Sequence, residues 1–465
     1  MWRGEIRGGL ILSWLVVMLL LAACADGGET GSPDTEGDPG STTSADQDPP
    51  EGTTTITAPT SSSTPVGDCQ IPPGEPFVET DSVELTDLGE IDGVGVKAAM
   101  YPHPEYEEEL WSQWGQGMAL DDGRFFSAIG DHVDVDGNSF VYEYDPATNT
   151  LTTVGDVLSY VDHVPGTWGY GKIHSQMVPG PCGEIYFSTY WGSYRDITFE
   201  GNYTGDLLFR LDPFARTLQP LGVPVEFYGQ ASLAAYAPGG IVFGEAIDPV
   251  LKNDDIDSGP FFAYDVIEEE VVYTGPEQPH TGFRSVLVDS EGVAYYSIGG
   301  GELQTYDPAT GETAIHEATI PGESLRAVTE PGPDGSIYGV ADETDMFFVM
   351  RPDGSVEELG EALEYTASMA LAPDGSAFYY MPGAHGNAPT FGSPLMRVDT
   401  TTGEQTVVVE LNEAIQEEFG HAVGGTYNVV VSPDGGTIYL GVNGGEVGSE
   451  EQAFGEVFLI VLDLP

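Results

Sequence analysis

One turn-and-strand signature recurs seven times along this chain, 40 to 60 residues apart. Each copy closes a turn on Gly and runs into an apolar or aromatic strand, as in Leu120-Asp-Asp-Gly123-Arg-Phe-Phe, Pro333-Asp-Gly335-Ser-Ile-Tyr and Pro433-Asp-Gly435-Gly-Thr-Ile-Tyr. The other four turn glycines are Gly183, Gly240, Gly292 and Gly375. A second signature follows every copy, an apolar strand ended by Asp, at Asp145, Asp212, Asp265, Asp307, Asp353, Asp399 and Asp463. Four short strands per repeat, seven repeats and no sustained helical period predict an all-β chain, a seven-bladed β-propeller, because radial repetition leaves few strand edges open. The seventh repeat stops two residues from the end of the sequence and lacks its outer strand. Ser82-Val-Glu-Leu-Thr-Asp-Leu-Gly89 copies the outer strand of repeat five, Ser355-Val-Glu-Glu-Leu-Gly360. An N-terminal strand is therefore expected to complete the last blade, with Ser82–Gly89 as the candidate.

The Pro-Asp-Gly turns and the Tyr-Asp-Pro-x-Thr-Gly turns resemble the seven-bladed superfamily of streptogramin-lyase-like, YVTN-type and SMP-30-like proteins, over residues 75–465. That resemblance implies the fold and a range of roles, from lyases, lactonases and quinoprotein relatives to non-enzymatic binders. The Trp-Phe-Thr-Glu strand of streptogramin lyases is replaced here by Tyr295-Tyr-Ser and Tyr379-Tyr-Met.

Residues 1–23 read as a signal peptide, with Arg3 and Arg7, the apolar run Leu10 to Leu21, then Ala22-Ala23 before Cys24. Leu21-Ala-Ala-Cys24 resembles the lipobox of bacterial lipoproteins, which implies a lipidated Cys24 and a lipid-anchored protein on the extracytoplasmic side of the cell membrane. Residues 24–70 form an acidic Ser/Thr/Pro/Gly tether, expected to be disordered because it has almost nothing to bury. The propeller is assigned to residues 71–465. In an oxidising exterior the remaining cysteines, Cys69 and Cys182, are expected to pair.

The sequence holds 76 acidic and 13 basic residues, a net charge of −63. Nucleic acid and anionic membrane surfaces both need clustered cations, so these partners are excluded and membrane contact is left to the lipid anchor. Beyond residue 23 only 11 cations remain. Aligning the innermost strands on their turn glycines puts His174, Arg284 and Arg326 in one row. Lys172 lies two residues before His174, and Asn428 falls beside the row.

Long inserts between second and third strands fall in repeats one, two, three, six and seven, and make one face the loop-rich one. Trp111, Trp114, Trp168 and Trp191 all fall in repeats one and two. The candidate ligand-binding residues are thus Lys172, His174, Arg284, Arg326, Trp114, Trp168, Trp191 and Asn428. His174 and His280 are the catalytic candidates. No cofactor is expected, although Asp131, Asp134 and Asp136 supply closely spaced oxygens that could hold Ca²⁺. The function expected is capture of a small anionic molecule or saccharide on the loop-rich face by a monomer. The alternative is a propeller enzyme of the lyase, lactonase or quinoprotein type acting on a polar substrate. No nucleophile elbow, phosphate loop or zinc-protease motif occurs.

Overall fold

The turn chemistry dictates the strand pattern. In the Pro-Asp-Gly turns Gly335, Gly375 and Gly435 take φ of 80°, 74° and 77°, a region that only Gly enters without strain. The Asp before each accepts a backbone N–H two residues on, from Ser336, Ser376 and Gly436. The second signature works likewise: Asp145, Asp212, Asp265, Asp307 and Asp399 each accept a backbone N–H two residues ahead. These Asx turns reverse the chain at one end of each hairpin.

The computed structural model describes residues 72–105, 110–132, 135–190, 202–248, 258–279, 286–449 and 454–465. Seven antiparallel sheets follow one another, and each gives one blade of the propeller. Blade three is representative, with Gly229–Tyr236 innermost, then Ile241–Ile247, Ser258–Asp265 and Glu270–Pro279 outermost. Blades one and two carry an additional outer strand each, Ser82–Glu84 on Thr150–Asp156 and Glu75–Pro76 on Thr217–Gly222.

The last blade is closed by an N-terminal strand, though by a later segment than expected. Val94–Met100 pairs with Glu456–Asp463, Phe458 opposite Met100 and Asp463 opposite Gly95. Ser82–Gly89 divides between the rim of blade one and the strand Thr86–Ile91, which lies outside Val94–Met100. Burial explains the choice. Val94, Val96 and Ala98 alternate into the core at 2 % exposure or less, whereas Thr86–Ile91 has no buried residue and suits only an outer edge. Asn412–Phe419 forms an eight-residue α-helix between blades six and seven, a departure from the helix-free expectation.

Blades adhere through flat aromatic contacts and polar stitches. Phe261 of blade three stacks on Tyr296 of blade four at 4.1 Å, and Phe125 of blade one on Tyr439 of blade seven at 4.7 Å. Across the seams between blades, polar side chains bond the next blade's backbone. Ser188 Oγ donates to Gln230 O, Ser297 Oγ accepts from Leu325 N, and Ser368 Oγ accepts from Val429 N. These bonds satisfy main-chain groups at bulges where the sheet ladder lapses.

Candidate functional site at the mouth of the ring

Close backbone approach builds the site. Gly130, at the end of a blade-one strand, lies against blade two so tightly that a Cβ there would stand 2.1 Å from Gly171 O and 3.1 Å from Lys172 Cα. Tyr170 N donates to Gly137 O at 2.6 Å. A Cβ on Gly169 would stand 2.3 Å from that same oxygen. Gly169-Tyr-Gly171 therefore fixes the path of Lys172–Ile173, the short strand that brings Lys172 and His174 to the mouth.

Trp114 is the hub. Its indole lies 4.7 Å from Tyr427, 5.4 Å from Phe454, 5.5 Å from His132, and 6.2 Å from both His174 and His385, ring centre to ring centre. Lys172 Nζ sits 3.8 Å above the Trp114 ring and 5.3 Å from that of Tyr190, a cation–π arrangement. On the far side Tyr365 stacks on His385 at 4.7 Å. Arg326 donates through Nε to Tyr365 Oη, with its guanidinium carbon 5.0 Å from that ring. Trp114, His132, Lys172, Tyr365 and His385 are half-buried, while His174, Tyr190, Arg326, Tyr427 and Phe454 are buried behind them.

The electrostatics are uneven. Burial pushes His385 down to about 3, with Arg326 and Lys172 adding to the effect. Burial and then Lys172 likewise hold His132 well below the usual imidazole range. Both rings are neutral at neutral pH. Burial opposes the Arg326 charge, yet Tyr365, Tyr427 and Asp342 outweigh it and the pKa is raised. His174 Nδ1 lies 3.0 Å from Ala231 O. A carbonyl only accepts, so Nδ1 carries a proton and its N–H points at Ala231 O. Lys172, the neutral His132 and His385 and further aromatic rings thus surround one indole, with Arg326 set behind Tyr365.

Of the sequence candidates, Trp114, Lys172 and His174 meet here directly, and Arg326 joins through Tyr365 and His385. Trp168 lies one layer behind, edge-on to Tyr203 at 4.9 Å in a cluster that includes Tyr190. Asn428 Oδ1 accepts from Gly117 N and stitches blade seven to blade one. Asp131 Oδ2 accepts from Asn138 N, while Asp136 Oδ1 faces His163 Nε2 at 2.7 Å and Gly166 N at 2.8 Å. Among the described residues no group of three His, Cys, Asp or Glu is arranged to hold a metal ion. Cys24, Cys69, Asp134, Trp191, His280 and Arg284 lie outside the described residues.

Sequence reasoning missed His132, His385, Phe454, Tyr365 and Tyr427. The first three stand in inserts between second and third strands, in blades one, six and seven. Insert length was the available signal for them. Tyr365 and Tyr427 stand at or just before innermost strands, where no pattern separates a mouth residue from a core one.

The sequence matches no protein-family model and no curated protein. Among solved structures the chain is similar to oligogalacturonate lyase from Vibrio parahaemolyticus, at 12 % identity and TM-score 0.49, covering 83 % of this chain and 99 % of that one. Virginiamycin B lyase from Staphylococcus aureus gives 9 % and 0.48, with 79 % and 99 % covered. A structure of U3-55K gives 11 % and 0.49, with 78 % and 98 % covered. The seven blades are read from this chain's own sheets.

Proposed function

We propose that this protein captures a small anionic ligand, of the acidic-saccharide or ring-bearing carboxylate class, at the Trp114 mouth. The observation that carries the reading is Trp114 itself, a half-buried indole with Lys172 Nζ 3.8 Å above its ring in a protein with few cations. A flat ring suits an aromatic face, and a carboxylate suits an ammonium or guanidinium through charge-assisted bonds. Neutral His132 and His385 add no repulsion towards a hydroxyl, since each imidazole can donate and accept. Calorimetric titration with galacturonate and with galactose tests this: binding of the acid that Trp114→Ala abolishes supports it, and no heat with either acidic saccharides or aromatic carboxylates refutes it.

The reading extends to location. Cys24 as a lipidated residue and residues 25–70 as a tether would hold the binding mouth outside the cell membrane, and labelled-palmitate incorporation lost in Cys24→Ser tests it. The Cys182 sulfur is engaged in a disulfide, which supports the pairing with Cys69 and an oxidising compartment.

A second reading, a lyase or hydrolase acting at the same mouth, draws on the proton held at His174 Nδ1 by Ala231 O. His174 is then the imidazole this reading assigns to proton transfer. Slow consumption of a bound acidic sugar, lost in His174→Ala while binding persists, would select this reading over plain capture.

A further inference from the structure

Three imidazoles stand around Trp114, and they are not equivalent. His174 is buried and turns Nδ1 to Ala231 O at 3.0 Å. His132 has its Nε2 buried without a hydrogen-bond partner, so it has at most one nitrogen to offer a ligand. His385 is half-buried, with neither nitrogen enclosed. Its ring lies 4.7 Å from Tyr365, 5.6 Å from Tyr427 and 6.2 Å from Trp114, and among the described residues no hydrogen bond takes up its nitrogens.

The backbone that carries His385 leaves it little freedom. Gly383 N and Ala384 N both donate to Tyr365 O, at 2.9 and 3.3 Å, and Asn387 N and Ala388 N both donate to Gly383 O at 3.1 Å. Gly383 takes φ of 80°, and a Cβ on it would stand 2.4 Å from Ala388 N. Gly425 of blade seven packs so close that a Cβ there would meet Ala384 O at 2.6 Å. The ring is thus set in place before any ligand arrives. Burial first, then Arg326 and Lys172, push its pKa down to about 3, and a neutral imidazole offers one donor and one acceptor.

We infer that His385 is a specificity-determining residue of the mouth, one that hydrogen-bonds a ligand hydroxyl and so favours saccharides over ring carboxylates that lack hydroxyls. This rests on the reading of the mouth as a ligand site and narrows its ligand class. A hydroxyl donates and accepts, so it can meet either nitrogen without a change of protonation. A bare ring would strip water from those nitrogens and return nothing, a penalty on the wrong ligand that adds to the bond gained with the right one. Because the imidazole is held in advance, little ordering cost offsets the gain.

Titration with galacturonate and with benzoate reads the choice. Wild type should prefer galacturonate. His385→Phe keeps a ring to stack on Tyr365 and loses both nitrogens, so it should weaken galacturonate by roughly three- to tenfold, the span of one neutral hydrogen bond, and leave benzoate unchanged or tighter. His385→Asn, which keeps a donor and an acceptor, should retain part of the preference, and thermal melts confirm that each variant folds. Equal losses for the two ligands in His385→Phe make the residue a packing contact and overturn the inference. A wild type that prefers benzoate overturns it too, while capture at the mouth stands. If neither ligand binds, the capture reading fails and the inference falls with it.

Diethyl pyrocarbonate, which acylates unprotonated imidazole nitrogens, tests the open edge of His385 without a ligand. Peptide mapping should find His385 modified ahead of the buried His174, at a rate that barely changes from pH 7 to 5, where an ordinary imidazole loses about 25-fold of its neutral form. An unmodified His385 overturns the inference, because a ligand hydroxyl then has no nitrogen to reach.

Discussion

Replacing His385 by Gln should flatten the acid side of the stability profile. His385 is held down to about 3 by burial first and by Arg326 and Lys172 second, and its ring stacks on Tyr365 at 4.7 Å. In the unfolded chain the same imidazole takes its proton near pH 6.5. Between those values the unfolded state binds a proton that the folded state refuses, so stability falls as pH drops from about 6.5 towards 3. At pH 4 the unfolded imidazole lies about 2.5 units below its pKa, and at about 1.4 kcal/mol per unit the penalty approaches ~3 kcal/mol. The ring is only half-buried, so screening reduces this to about 2 kcal/mol. The many carboxylates titrate in the same range, so the informative quantity is the difference between wild type and variant, followed by urea unfolding at pH 7, 5.5 and 4. Loss of the Tyr365 stacking shifts the variant by a constant amount, whereas the imidazole contributes a slope. Two profiles that stay parallel from pH 7 to 4 would refute the placement of a neutral, desolvated imidazole beside two cations.

Gly130→Ala should disturb the mouth more than the fold, because its Cβ would meet Gly171 O at 2.1 Å and force back the backbone that carries Lys172. We expect about 1–3 kcal/mol of destabilisation together with altered tryptophan quenching; a melt unchanged from wild type would contradict the close approach. Val96→Ala in the closing strand, where Val96 is 1 % exposed, should cost about 2 kcal/mol, and Val83→Ala on the half-buried rim strand distinctly less. Equal losses in denaturant melts would put the closure elsewhere. His103, 3.1 Å from Glu456 and stacked on Trp111 at 4.3 Å, has its pKa raised because Glu456 outweighs the opposing effect of burial. The pair's stabilisation, about 1 kcal/mol, is fully present below the ordinary imidazole pKa and lost as pH rises through the raised one. The gap between wild type and Glu456→Gln should therefore close as pH rises past the ordinary imidazole range, and a gap that stays constant through it would contradict the pairing. Binding of an anion to this acidic protein should strengthen with moderate salt, since screening relieves long-range repulsion more than it weakens contacts in a partly buried mouth; a monotonic weakening from 20 to 200 mM NaCl would count against it.

The ring was legible because its signal is local and repeated. Pro-Asp-Gly turns and Asp-ended strands are fixed by φ at one glycine and by one side-chain-to-backbone bond, and seven copies reinforce one another. Closure was only half legible for the opposite reason. Ser82–Gly89 resembles the outer strand of repeat five in composition, but outer strands are the least constrained in a blade, and their sequences carry little address. Val94-Gly-Val-Lys-Ala-Ala-Met100 is told apart by alternate burial, with Lys97 at the surface reaching Asp463 at 3.0 Å, and that alternation favours the inner of the two positions.

The mouth shows where reading by residue type stops. Scarcity of cations drew attention to Lys172 and Arg326, and six other described cations, Lys97, Arg124, Arg210, Arg216, Arg351 and Arg397, pair with carboxylates as scaffold. Charge alone does not separate the two uses. What separates them is the surface under the cation: Glu143 serves both Arg124 and Arg216 between blades one and two, while Lys172 and Arg326 lie against aromatic rings that face one another through Trp114 and His385. Those rings come from blade one (Trp114) and from the start and long insert of blade six (Tyr365, His385), about 250 residues on in sequence, and only closure of the ring brings them together. A carboxylate beneath a cation neutralises it and completes a structural contact. At the mouth the surface under Lys172 is the Trp114 ring and that under Arg326 the Tyr365 ring, so on the proposed reading a ligand ring and its charged group would be met by one and the same pair of side chains.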